Sequence, residues 1–146
     1  MTKSLTDKMK VALASTFSFY LKAQYFHWNV EGIHFTQLHD LFGKIYEEVH
    51  ASIDDIAEHI RAIDAYAPGS LTRFKELTAI ECETDIPSAV NMCKILQSDN
   101  DKLINVLIDT YLEAEKAKEY GLANFIQDRI DIHKKHGWML KSHIKA

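Results

Sequence analysis

Apolar side chains recur every three or four positions along nearly the whole chain, the spacing of helices that bury one side. The first such stretch predicts a helix from Leu5 to Val30, with Met9, Leu13, Phe17, Leu21 and Tyr25 four apart in one stripe. Ser4 and Asp7 suit a capping pair at its start, and Gly32 suits its end. The second stretch predicts a helix from Phe35 to Ala65. Its stripe is Phe35, Leu38, Phe42, Ile45, Val49, Ile53, Ile56, Ile60 and Ile63. Pro68-Gly69-Ser70 marks a loop, and the segment from Leu71 to Thr84 has room for a short connecting helix. A third helix is expected to start at Asp85 as N-cap, with Pro87 in its first turn. It would carry Val90, Cys93, Leu96, Leu103, Leu107, Tyr111 and Ala114, and close at Gly121. A fourth would run from Leu122 to His143, with Ile126, Ile130, Leu140 and Ile144 on one side.

Composition fits this picture. A chain of 146 residues, 47% of them hydrophobic, suits one domain over residues 1–146 with a single core. Only 5 Gly and 2 Pro leave long helices uninterrupted. A formal charge of −4 argues against nucleic-acid binding by the body of the protein, which needs clustered Lys and Arg. The opening MTKSLTDKMK lacks the apolar run of a signal peptide, and no stretch is apolar enough to span a membrane. Cys82 and Cys93, the only two cysteines, read as reduced thiols of a cytoplasmic protein.

Three short pieces carry candidate chemistry: His27-Trp28-Asn29-Val30-Glu31-Gly32, Leu38-His39-Asp40 and Ile53-Asp54-Asp55-Ile56-Ala57-Glu58. Asp54 and Glu58 share a helix face, and carboxylates with imidazoles suit iron. Each piece alone is an ordinary feature of a solvated helix. Their geometry together says more. His39 and Asp54 are 15 positions apart on one predicted helix (54 − 39), roughly 22 Å along its axis but only about 60° apart around it. One chain therefore cannot place both on one metal. A two-fold axis near Tyr46 and Glu47 would bring the His39 end of one chain to the Asp54 end of its mate, twice. The alternative, a di-iron centre inside the bundle, needs Glu-x-x-His on two helices. Glu47-x-x-His50 supplies one, but the fourth helix has no Glu at all.

Four helices with one long middle connection, Ala67 to Thr84, make an all-α, ferritin-like four-helix bundle with a short helix in that connection. The run HWNVEGIHFTQLHDLF, then SIDDIAEHIRAI, then FIQDRIDIHKKHGWML resembles the Dps family of mini-ferritins over nearly the whole chain. The resemblance implies a hollow homododecamer. It implies oxidation of iron(II), preferably by hydrogen peroxide, at two-fold interfaces, with the ferric oxide stored inside. It places His27 and His39 from one subunit with Asp54 and Glu58 from its mate as metal ligands, and Trp28 beside them. Tyr25 and Tyr46 read as packing aromatics. Two departures stand out. Where many members carry an acid four positions after the second His, this chain has Gly43, and where many have Arg it has His59. DNA coating is the family's other activity. Here Lys3, Lys8 and Lys10 form only a short basic tail, and Lys134, Lys135, Lys141 and Lys145 suit a basic helix end, so DNA binding is expected to be weak.

Overall fold

Five helices follow one another: α1 (Thr2–Asn29), α2 (Phe35–Ala62), α3 (Leu71–Leu77), α4 (Ala89–Lys116) and α5 (Tyr120–Ser142). The computed structural model describes the backbone of residues 2–145 and the side chains of residues 3–145, and no strand occurs among them.

Helices α1 and α2 pack as one hairpin, α4 and α5 as another, and α1 lies against α4. Thr110 reaches the carbonyl of Lys8 while Lys22 reaches Asp99, so α1 and α4 run antiparallel. Helix α2 returns along α1 and is therefore parallel to α4. The chain must cross the length of the bundle between Ile63 and Ser88, and α3 sits in that crossing. The crossing is tied to α1 at three points. Phe74 packs on Phe17 with ring centroids 4.8 Å apart. Ala79 N–H donates to Ser15 Oγ at 3.0 Å. The Tyr25 hydroxyl reaches the carbonyls of Thr84 and Asp85. This is the all-α, ferritin-like bundle with a short connecting helix that the sequence predicts.

The first helix corrects the expected stripe. A strict step of four overshoots a full turn by about 40° each time. Met9 and Leu13 are accordingly buried, Phe17 and Tyr25 half-buried, and Leu21 44% exposed. The buried line is Leu5, Met9, Ala12, Phe19, Ala23, Phe26 and Val30, whose steps of three and seven cancel the drift. Phe35 and Val90, at the outer ends of their stripes, are also exposed.

Several expected boundaries move. Helix α4 is capped by Ser88, whose hydroxyl accepts from Asn91 N–H, and not by Asp85. Pro87 disfavours helical backbone at the residue before it, so the helix starts only beyond the proline. Ser4 and Asp7 lie inside α1, which begins at Thr2, so the expected capping pair does not mark its start. Helix α2 stops at Ala62, where Asp64 turns left-handed at φ 68° and Ala65 N–H closes back on the Ile60 carbonyl. Helix α4 stops at Lys116 in the same way, with Lys118 at φ 61° and Glu119 N–H on the Ala114 carbonyl. Gly121 is therefore no terminator but the second residue of α5.

Candidate metal centre

The end of α1 and the start of α2 are joined by a reciprocal clasp. His27 Nδ1 lies 2.6 Å from the His39 carbonyl oxygen, and His39 Nδ1 lies 2.7 Å from that of His27. Carbonyls only accept, so both Nδ1 atoms carry the proton. In the neutral imidazole each Nε2 then keeps its lone pair, the form in which imidazole binds a metal. The two rings stack with centroids 3.8 Å apart, and Phe35 and Tyr46 flank them. The bond from His39 also satisfies one of the carbonyls left over at the end of α1.

Gly43 makes this stack possible. A Cβ there would stand 3.0 Å from His27 Cε1 and 3.1 Å from His27 Nδ1. The space into which an acidic side chain at this position would grow is filled by the His27 ring. His59 rests against Phe125, with ring centroids 4.5 Å apart.

Asp54 and Glu58 lie one turn apart on α2, both exposed. They stay with neither histidine, as their roughly 22 Å displacement along α2 requires. Among the described residues, no three or more His, Cys, Asp or Glu side chains of one chain are placed to hold a metal. Trp28, 62% exposed, joins Phe17, Leu21, Tyr25 and Phe74 along an apolar groove of about 410 Å³ beside the clasp.

The Glu-x-x-His pair reads differently in the structure. Glu47 and His50 are exposed, with His50 against Tyr20. Glu48, one of the two residues between them, turns towards α5 and binds Arg129 through both carboxylate oxygens, and His136 through one. Burial pushes its carboxyl up, but bonds from His136 and Arg129, together with their positive charge, hold it down at about 2. His133 is fully buried, and burial, helped by the neighbouring Arg129 guanidinium, keeps its imidazole well below the usual range. A separate ion pair, Lys22 with Asp99 at 2.6 Å, is buried on both sides and crosses from α1 to α4.

The sequence held a signal for this network. Leu122, Ile126, Arg129, His133, His136 and Leu140 follow steps of four and three, so three polar residues interrupt one apolar line. Drawing the stripe through Ile130 passes them by.

Residues 6–146 match the ferritin-like domain, which sets the class. Within it, the chain is 31% identical over 127 residues to a DNA protection during starvation protein of Brevibacillus brevis, covering 86% of this chain and 85% of that one. It is 33% identical over 136 residues to an uncharacterized low temperature-induced protein of a Nostoc species, covering 92% and 76%. The crystal structure of a Dps protein from Bacillus brevis matches with a TM-score of 0.94 at 26% identity, over 99% of this chain and 97% of that one. Dps from Thermosynechococcus elongatus shares the fold with a TM-score of 0.96 at 22% identity, over 99% and 92%. The chain belongs to the Dps family of ferritin-like proteins.

Proposed function

We propose that this chain oxidises iron(II), preferably with hydrogen peroxide, at sites shared between copies of itself, and stores the ferric product inside a hollow homododecamer. The observation that carries this reading is a donor set split in two. His27 and His39 present bare Nε2 atoms at one end of α2, and Asp54 and Glu58 lie exposed beyond its middle. Neither half holds an iron alone, and a two-fold contact closes both at once. The apolar groove by Trp28 gives a second copy something to cover.

Carboxylates favour iron(III) over iron(II), so the site promotes loss of an electron. Two iron(II) ions give one electron each to hydrogen peroxide, which takes up two protons and leaves as two waters. Paired delivery releases no hydroxyl radical, and Trp28 is placed to absorb stray oxidising equivalents. A cytoplasmic location accords with this role. The names of several relatives include DNA binding or protection. For this chain DNA coating is the lesser reading, because twelve copies at −4 give a shell of about −48 that repels phosphate at long range.

The test uses two double variants, His27→Asn/His39→Asn and Asp54→Asn/Glu58→Gln. The asparagine amide stands in for Nδ1–H and keeps the clasp, while the Nε2 donor is lost. Each variant alone should assemble and oxidise iron poorly. Co-expressed, half of the two-fold pairs are mixed and each rebuilds one of two sites, so roughly a quarter of the wild-type rate should return. Stopped-flow absorbance should show wild-type oxidation faster with peroxide than with oxygen. Doubly tagged mixed cages that stay at the single-variant rate would refute the shared site.

A further inference from the structure

The bundle interior holds a second set of metal-type donors that the shared site leaves unused. Arg129 Nη2 lies 3.0 Å from His133 Nε2 and 3.1 Å from Glu48 Oε1, and that same oxygen lies 2.8 Å from His136 Nε2. One imidazole and a carboxylate thus flank the guanidinium, and a second imidazole, His136, holds the same carboxylate oxygen. With Arg129 between them the three are not placed as a metal site, but they are donor types that first-row divalent cations take. The orientation of His133 is that of a metal-binding imidazole. Asn100 Nδ2 donates to the His133 carbonyl at 2.8 Å, which leaves Asn100 Oδ1 to accept from His133 Nδ1 at 2.9 Å. The Nε2 lone pair is therefore aimed at the positive charge. Gly137 leaves room for this brace, since a Cβ there would stand 3.0 Å from Asn100 Nδ2. The guanidinium itself is less well served, because Arg129 Nε is buried with no partner.

We propose that Arg129 is a built-in cation occupying a latent two-histidine, one-carboxylate site, and that its guanidinium bars divalent metal from the bundle core. Metal bonds to these atoms run about 2.0–2.2 Å, so His133 Nε2 and Glu48 Oε1 would each close by about 0.9 Å if a metal took the place of Nη2, and His136 would follow the Glu48 oxygen it already holds. Glu48 has the freedom to do so, because its side chain is 34% exposed and opens the cluster to solvent. The cluster is independent of the shared site, and the test separates the two.

The full-length protein is made in the Asp54→Asn/Glu58→Gln background, with Arg129→Ala or Arg129→Gln added and Co(II) alone as probe. Each added change should bring uptake of about one Co(II) per chain, visible as d–d absorption, where the Arg129 parent gains none. Co(II) should raise the thermal midpoint of these variants alone, and a further His136→Ala should abolish both effects. An Arg129→Ala chain that folds only with Co(II) supports the proposal. Folded variants that bind no extra Co(II) overturn it. Failure of both variants to fold even with Co(II) also overturns it, because Arg129 is then only a structural cross-link.

Discussion

The ring of His27 lies over a position of α2 that has no side chain, so Gly43 sets two physical demands against each other. Alanine at an internal helix position gains about 1 kcal/mol over glycine. Forcing a methyl group to 3.0 Å from a packed ring costs about 1–3 kcal/mol. Gly43→Ala should therefore cost up to about 2 kcal/mol of stability while displacing His27 from His39. Iron oxidation should fall about tenfold, since small misplacements of a reacting group are expensive in rate. Thermal melts set beside initial rates check this, and an unchanged rate would show that the stack is incidental. At this scale the sequence was partly legible. His27 and His39 stood out by chemistry and spacing. What Gly43 does was not readable, because a glycine does not declare which neighbour uses its vacancy.

At the scale of elements, the helices were legible and their ends were not. Periodicity follows from burial along many turns, so each predicted long helix exists. An end depends on one or two residues, and here Asp64 and Lys118 take the left-handed backbone that sequence reasoning gives to glycine. The outcome can be tested by sign. If Gly121 closed a helix, alanine there would be strained. It sits instead in the first turn of α5, with nothing within 4 Å of a would-be Cβ. Gly121→Ala should stabilise the protein by about 0.5–1 kcal/mol. A urea midpoint lower than wild type would contradict the placement. The polar line of Arg129, His133 and His136 was legible in principle. It escaped notice because apolar residues alone were used to draw the stripe, and Ile130 offered an easier one.

For the whole molecule, the core network fixes how stability responds to acid. Glu48 titrates at about 2 when folded, against an ordinary 4.5. Its contribution is complete above 4.5 and is lost as pH falls towards about 2. His133 is also depressed, from an ordinary 6.5, so the unfolded chain takes up its proton first and stability declines below that value. Both act in one direction. Arg129 and His136 of α5 face Glu48, and Asn100 of α4 faces His133. Unfolding midpoints should hold level between 9 and 6.5, fall below 6.5, and fall further below 4.5. Glu48→Gln should flatten the lower limb, and a profile that rises on acidification would reverse the assignment. The bundle and its long crossing were readable from four periodic stretches. The pairing of Glu48 with α5 was not, because it joins residues 81 positions apart.

The clasp between α1 and α2 also bears on how this protein is able to vary. His27 and His39 each commit Nδ1 to the other's backbone and hold Nε2 in reserve. A mutation that deletes either imidazole unfastens one of the two hydrogen bonds of the helix join and removes a proposed ligand in the same event. Asparagine is a route by which the brace persists without the ligand. Descendants of this chain that lost their chemistry but kept their shape would be recognisable by amides at 27 and 39, with glycine still at 43.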